Sequence, residues 1–293
     1  MKEWCKMGMK EQWEKTKAEV QTKGFWKGVR CEFLGTLLYV VFGCGAAVLR
    51  NHPIEADYYY SYETKTAVSF GLSESVLVQS FGHGSGGHFN PSITIAMLCA
   101  RYITIVKALT YLLVQMVGAL AGAGILYGLT PTKYQGNLGV TMPHRDVDKG
   151  QAFGFEFLAT FVVVFCYFST LELKRDVLVP KALTCGLAVC LSQIFAIRYT
   201  GASINPARSL GPALIMNIWT DHWVYWVGPI LGGILGGFTF EYTKDSSKQF
   251  QNFKFSLRQK VYSLQRKEEC ASTNSLATEL ACDHDTATEE LQI

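Results

Sequence analysis

Six stretches of about twenty residues, nearly free of charge, dominate the chain at 31–49, 66–84, 106–129, 151–171, 180–198 and 222–242. At a rise of 1.5 Å per residue, about 20 residues cross a hydrocarbon layer of roughly 30 Å. Lipid offers the backbone no hydrogen-bond partners, so such runs fold as helices. The composition agrees: 49% of the 293 residues are hydrophobic and only 17% charged, and the charges gather at the ends and in short clusters. Disorder, collagen-like repeats and a small disulfide scaffold are excluded on that basis. The net charge of +3, scattered among apolar runs, excludes a nucleic-acid footprint. Cys31, Cys44, Cys99, Cys166, Cys185 and Cys190 lie inside apolar runs without metal-ligand spacing, so they read as small buried hydrophobes, with no cofactor or metal implied.

Basic residues set the expected orientation. Residues 1–30 hold eight Lys or Arg, the connection 172–181 holds Lys174, Arg175 and Lys181, and 244–267 holds seven more. Cytosolic loops carry that excess, so both termini are expected in the cytosol, as an even number of spans requires. The first 24 residues contain no apolar core, so no cleavable signal is expected and an internal segment directs insertion. The stretches 50–65, with Glu55, Asp57 and Glu63, and 130–150 are then extracellular loops. No glycosylation sequon with a permitted middle residue occurs.

Two apolar segments are too short to span. Gly84–Ala100 is Gly-rich and then reads Phe89, Asn90, Pro91, Ser92; Gly201–Met216 is Gly-rich and then reads Asn205, Pro206, Ala207, Arg208. Asparagine as cap and proline in the first helical position start a helix, so each segment is a loop followed by a half-helix. Such elements survive at membrane depth only inside protein or along a wet cavity. The halves of the chain also repeat: Glu32-Phe-Leu-Gly-Thr36 opens the first span and Glu156-Phe-Leu-Ala-Thr160 the fourth. An odd number of crossings separates the copies, so the repeats are inverted and the half-helices enter from opposite faces. The expected fold is all-α: six transmembrane helices and two re-entrant half-helices.

Two helix N-termini meeting at the membrane centre set partial positive charge, together with the amides of Asn90 and Asn205, against a narrow path. Neutral hydrogen-bonding molecules pass such a path, while cations and hydrated protons meet a barrier. Arg208 adds a fixed charge and further donors.

These motifs together resemble the aquaporins, of the major intrinsic protein family, over roughly residues 25–243. The resemblance implies repeats at 25–129 and 150–243, flanked by cytosolic tails at 1–24 and 244–293. It implies a passive water channel in the plasma membrane, assembled as a homotetramer with one pore per subunit, and no enzyme activity. In that family four positions form the outer selectivity filter, and they fall on Phe70, Gln193, Ala202 and Arg208. Ser209, Ala213, Tyr225 and Trp226 match the set of water-selective members.

Three departures from the family pattern stand out. Ser92 replaces the usual alanine of the first Asn-Pro motif, a small residue well tolerated at a helix start. Gln193 occupies the place of the histidine of water-selective members, which resembles glycerol facilitators and the insect entomoglyceroporins. Glutamine is flexible and able to donate and accept, so passage of glycerol, urea or other small neutral solutes is the alternative expectation. Glu74 lies one helical turn after Phe70 on the same face, where the family has an apolar pore wall, and is the candidate for pH sensitivity. Its other expected fate is to turn away and pair with a neighbouring helix. Mercury-sensitive members carry cysteine at the position of Ala202, so outer-filter mercury block is expected to be weak.

Glu32 and Glu156 are expected to brace the re-entrant loops, and His88 to lend carbonyls to the pore. Ser85 between His83 and His88 raises a serine hydrolase, but no Gly-x-Ser-x-Gly elbow surrounds it. A coupled transporter, which also uses broken helices, is the other competing class. Aromatic residues are expected mostly at lipid and interface, with Trp26, Trp219, Trp223 and Trp226 near the boundaries. The tail has a basic stretch, 244–267, suited to an anionic leaflet, with Ser256 and Ser263 as candidate kinase sites. An acidic stretch, 268–293, follows it and ends Leu291-Gln292-Ile293, a loose match to a motif for a cytosolic scaffold.

Overall fold

The computed structural model describes residues 9–48, 56–171 and 180–243. The described residues form helices α1 (Met9–Val20), α2 (Lys23–Ala46), α3 (Ala56–Ser85), α4 (Pro91–Cys99), α5 (Ile105–Leu129), α6 (Lys149–Ser169), α7 (Lys181–Thr200), α8 (Pro206–Met216) and α9 (Val224–Thr243), with no strand among them. α4 and α8, of 9 and 11 residues, are the half-helices. By length and apolar composition alone, α2, α5, α6 and α7 qualify as spans. α3 is longer but interrupted by Glu63, Lys65 and Glu74, and α9 is diluted by glycine.

Helix ends depart from the hydropathy limits where local hydrogen bonds outrank apolarity. α2 starts eight residues before its apolar run because Thr22 accepts the Phe25 N–H at 3.1 Å. α6 starts at a capping box in which Asp148 accepts from the Gln151 N–H at 2.9 Å and the Gln151 side chain accepts from the Asp148 N–H at 3.1 Å. The larger correction concerns 50–65, expected as a loop: from Ala56 onward it is the first part of α3. Tyr62 donates to the Ala47 carbonyl at 2.8 Å and Thr66 to that of Ala46 at 3.2 Å, so this end of α3 is stitched to the end of α2. The expected N-terminal tail likewise contains α1, tied to the start of α5 by Thr104 donating to Glu19 at 2.7 Å. Lys174 and Arg175, Glu55, and the tail 244–293 with Ser256, Ser263 and Leu291-Gln292-Ile293 lie outside the described residues.

Helix packing repeats with the sequence. A Cβ on Gly118 or Gly122 of α5 would fall 2.5 Å from the Phe33 carbonyl oxygen or 2.4 Å from that of Leu37, both on α2. In the second half, a Cβ on Gly232 or Gly236 of α9 would fall 2.1 Å from the Phe157 oxygen or 2.5 Å from that of Phe161, both on α6. Backbone contact this close admits only glycine and is the packing mode of small residues between membrane helices. Gly124 meets nothing within 4 Å and has no such role.

The polarity of the molecule is inverted relative to a water-soluble domain. Leu72, Val76, Leu113 and Leu187 on the outer faces are each more than half exposed, whereas Glu32, Gln115, Glu156, Gln193 and Arg208 are at most 1% exposed at the centre. Such burial is tolerable only where each polar group is paired or faces a wet path. Two expectations are corrected here. Cys31, Cys44 and Cys185 are buried, but Cys166 and Cys190 are half-buried and Cys99 is exposed, because an apolar run in lipid has an outer face as well as an inner one. Trp26, Trp219 and Trp223 are nearly half exposed as expected, yet Phe70, Phe89, Tyr111, Tyr167, Phe168 and Tyr225 are among the largest fully buried side chains. The centre of the bundle therefore uses the aromatic volume that composition assigns to lipid.

Candidate functional site

The two half-helices begin on matching caps. Asn90 and Asn205 have extended backbones; the Asn90 side-chain oxygen accepts the Ser92 N–H at 2.8 Å, and that of Asn205 accepts the Ala207 and Arg208 N–H groups at 3.0 and 3.3 Å. Pro91 and Pro206 occupy the first helical positions, where no N–H is needed. The remaining amide groups do something that one segment alone does not reveal. Asn90 Nδ2 donates to the Ile204 carbonyl at 3.0 Å, and Asn205 Nδ2 donates to that of Phe89 at 2.8 Å. The motifs thus clasp each other, committing one amide hydrogen apiece and leaving the other for the path. Ser92 is fully buried against Gly233, and its hydroxyl has no partner among the described residues.

Phe89 and Ile204, the residues before the asparagines, have φ of 46° and 59°. Left-handed backbone is costly for side chains of this size and persists only when neighbours hold it. Two buried carboxylates do so. Glu32 accepts the His88 and Phe89 N–H groups at 3.0 and 2.7 Å, and Glu156 accepts those of Ser203 and Ile204, both at 2.8 Å. Gln115 donates to Glu32 at 2.8 Å and to Thr94 at 2.9 Å, Thr94 contacts the His88 ring at 3.1 Å, and Thr200 donates to Glu156 at 2.6 Å. Sequence reading missed Gln115, Thr94 and Thr200, because uncharged side chains inside apolar helices carry no motif. Ser85 accepts from the Gly87 N–H, the His88 ring is engaged by Thr94, and His83 is exposed, so no serine–histidine pair forms among them.

Phe70, Gln193, Ala202 and Arg208, on α3, α7, the second re-entrant loop and α8, are all at most 1% exposed and meet in two pairs, Phe70 with Arg208 and Gln193 with Ala202. The Arg208 guanidinium lies 4.9 Å from the centroid of the Phe70 ring, and one of its terminal nitrogens donates to the Gly139 carbonyl at 2.7 Å. That carbonyl comes from the 130–150 connection, and no side-chain pattern announces it. Gln193 Nε2 donates to the Ala202 carbonyl at 3.0 Å, which holds the amide in place. Gln193 Oε1 and Arg208 Nε are buried without partners among the described residues, one an acceptor and the other a donor. Ser209 bonds Ser203 at 2.6 Å and Thr141 at 2.7 Å, and Tyr225 donates to the Thr200 carbonyl at 2.8 Å, so both steady the loop that carries Ala202. Ala213 is fully buried and Trp226 half-buried.

Glu74 is 4% exposed and makes no side-chain hydrogen bond with any described residue. Lys181, at the start of α7, donates to the Gly86 carbonyl at 3.1 Å and lies 4.6 Å from the centroid of the Tyr167 ring.

The chain matches the family model described as Major intrinsic protein over residues 19–240. It is 46% identical to Aquaporin-4 of Mus musculus over 227 residues, covering 76% of this chain and 69% of that protein. It is 43% identical to the lens fiber major intrinsic protein of Gallus gallus over 224 residues, covering 76% of this chain and 83% of that one. Among solved structures, the aquaglyceroporin from Plasmodium falciparum aligns with a TM-score of 0.64 over 75% of this chain and 96% of its own, at 20% identity, a likeness of fold alone.

Proposed function

This chain belongs to the major intrinsic protein family, an integral membrane family of channels rather than enzymes, and from that premise we propose that it conducts water passively through a path between the two half-helices while excluding ions and protons. The single observation that carries this reading is the reciprocal clasp of Asn90 and Asn205 with Arg208 one turn away. Positive helix ends and a fixed guanidinium converge there, which a cation cannot approach cheaply but a water molecule can. Phe70, Gln193, Ala202 and Arg208 act as the outer filter. Glu32 and Glu156 are the structural supports, and His88 is held beside the first motif. Residues 25–243 constitute the channel, acting as a homotetramer in the plasma membrane with both termini cytosolic, and the C-terminal end serves a cytosolic scaffold. Stopped-flow light scattering on the purified protein in vesicles tests this. Water flow with a low activation energy and no proton current is expected, whereas proton flux comparable to water flux overturns it.

A second reading, in which the path also passes glycerol or urea, is favoured by the unpartnered carbonyl oxygen of Gln193. A buried acceptor without a partner recovers its desolvation cost from a donor that enters the filter, and the hydroxyls of glycerol or the N–H groups of urea supply one as water does. Gln193→His is then expected to lower the ratio of glycerol to water permeability severalfold, roughly what one net hydrogen bond is worth. A parent that passes water but neither solute above the lipid background refutes this second reading.

Ala202 has φ of 48° and is completely buried. Alanine already bears the Cβ that makes this conformation unfavourable, so cysteine adds little further strain. Ala202→Cys is expected to confer block by mercurials on a parent that resists them at the filter. Strong block of the parent that disappears in Cys190→Ser would place the sensitive thiol on α7 instead.

A further inference from the structure

We propose that Glu74 and Lys181 form a second selectivity station, reaching from the level of the Asn-Pro clasp to the first re-entrant loop, that favours neutral solutes carrying both donors and acceptors, the class of urea and the small polyols. This rests on the second reading above and assigns a residue pair to it. On α3 the residues Phe70, Glu74 and Val78 follow at four-residue spacing, about 6 Å apart along the axis. Phe70 touches Arg208, and Val78 Cγ2 lies 3.3 Å from where a Cβ on Gly87 would be. Glu74 therefore stands between the outer filter and the first re-entrant loop.

α3 and α7 approach closely along the face of α3 that bears Gly71 and Ser75, beside Glu74: a Cβ on Gly186 would fall 2.3 Å from the Gly71 carbonyl oxygen and against the Ser75 hydroxyl. That leaves the path side for a buried carboxylate without hydrogen bonds, a placement that is expensive unless passing molecules solvate it. One turn below Glu74, Val78 meets Gly87, and the neighbouring Gly86 carbonyl holds Lys181, which also lies over the Tyr167 ring. Tyr167 also donates to the Gly86 carbonyl, at 2.8 Å. Two donors of the protein thus occupy an acceptor of the re-entrant loop, while Lys181 keeps two further hydrogens. A solute stripped of water at the filter meets Arg208 and Gln193 first, the acceptor Glu74 next, and the donor Lys181 after it. An apolar wall there would give such a solute nothing in exchange for its lost hydration.

The test compares urea, glycerol and water permeability in vesicles for the full-length parent, Glu74→Leu, Glu74→Gln and Lys181→Met. The solute-to-water ratio should fall about fivefold in Glu74→Leu and in Lys181→Met, the equivalent of about one net hydrogen bond. It should recover most of the parental value in Glu74→Gln, which keeps an acceptor at nearly the same volume. Ratios indifferent to both positions, in variants that still conduct water, overturn the station alone. A parent that conducts water but no solute ends the second reading and the station together. A parental cation current lost in Glu74→Leu makes the carboxylate an ion site and overturns the proposal. Should the leucine variant fail to fold, Lys181→Met at the edge of the bundle decides.

Discussion

Glu156→Leu abolishes water flow and lowers the thermal stability of the detergent-solubilised protein by the largest margin of any single substitution considered. Leucine matches glutamate closely enough in size to fill the space, so the loss is electrostatic and directional rather than a cavity. The Ser203 and Ile204 N–H groups lose their acceptor in a region that is fully buried, and the Thr200 hydroxyl keeps only the longer bond to the Ala196 carbonyl at 3.3 Å. Each unsatisfied buried donor costs about 1–3 kcal/mol. Ile204 has, in addition, lost what holds its φ of 59°, a conformation worth another 1–3 kcal/mol of strain by general experience. The second re-entrant loop then has no reason to stay in place, and with it go the Ile204 carbonyl that receives Asn90 and the Ala202 carbonyl that receives Gln193. Glu156→Gln retains one acceptor oxygen but turns an NH2 group toward groups that are themselves donors, so an intermediate loss is expected. A Glu156→Leu protein with parental melting temperature and parental water flow would show that the loop is held by something other than this carboxylate.

Arg208→Val opens the path. The variant is expected to pass protons and small solutes at rates raised by one to three orders of magnitude, since a unit charge about 4 Å from a passing cation contributes up to about 4 kcal/mol at an effective dielectric constant of 20. Three things leave together: the positive charge, the donors, and the bulk that rests on the Phe70 ring and reaches the Gly139 carbonyl. Arg208→Lys separates them, because it keeps the charge but neither the planar fork nor the stacking surface. It should therefore keep most of the proton barrier while relaxing the discrimination against solutes. Dissipation of a pH gradient, followed with an internal fluorescent indicator beside the stopped-flow traces, reads both effects. If Arg208→Val leaks protons no faster than the parent, the barrier belongs entirely to the clasped half-helices.

The sequence and the three-dimensional arrangement account for different parts of these expectations. Both re-entrant segments are legible as local structure, because Asn90-Pro91 and Asn205-Pro206 start helices by rules that involve only the next three residues. The inverted repeat is legible for a similar reason: Glu32 and Glu156 open equivalent five-residue stretches, and counting crossings between them needs no contacts. Where hydropathy misplaced an element, as at Ala56, the deciding bonds came from the preceding helix, from Tyr62 and Thr66 to the carbonyls of Ala47 and Ala46. Likewise, α1 is too polar to register as a membrane element, and Glu19 shows its placement only by the bond from Thr104.

What the amino-acid sequence determined by itself is therefore everything that depends on near neighbours, on period and on total apolarity: helices long enough for a bilayer, two half-helices with asparagine caps, and an antiparallel duplication that turns them toward each other. What only the tertiary structure decided is what lies opposite. Asn90 finds Ile204 across 114 residues and Asn205 finds Phe89 across 116, Arg208 finds a backbone carbonyl at Gly139, Gln193 is tethered to Ala202, and α3 meets α7 at Gly71 and Gly186. Backbone carbonyls and close approaches have no residue type of their own. A hydrogen bond to one of them leaves no mark in the sequence, and it exists only once the two halves of the chain have met.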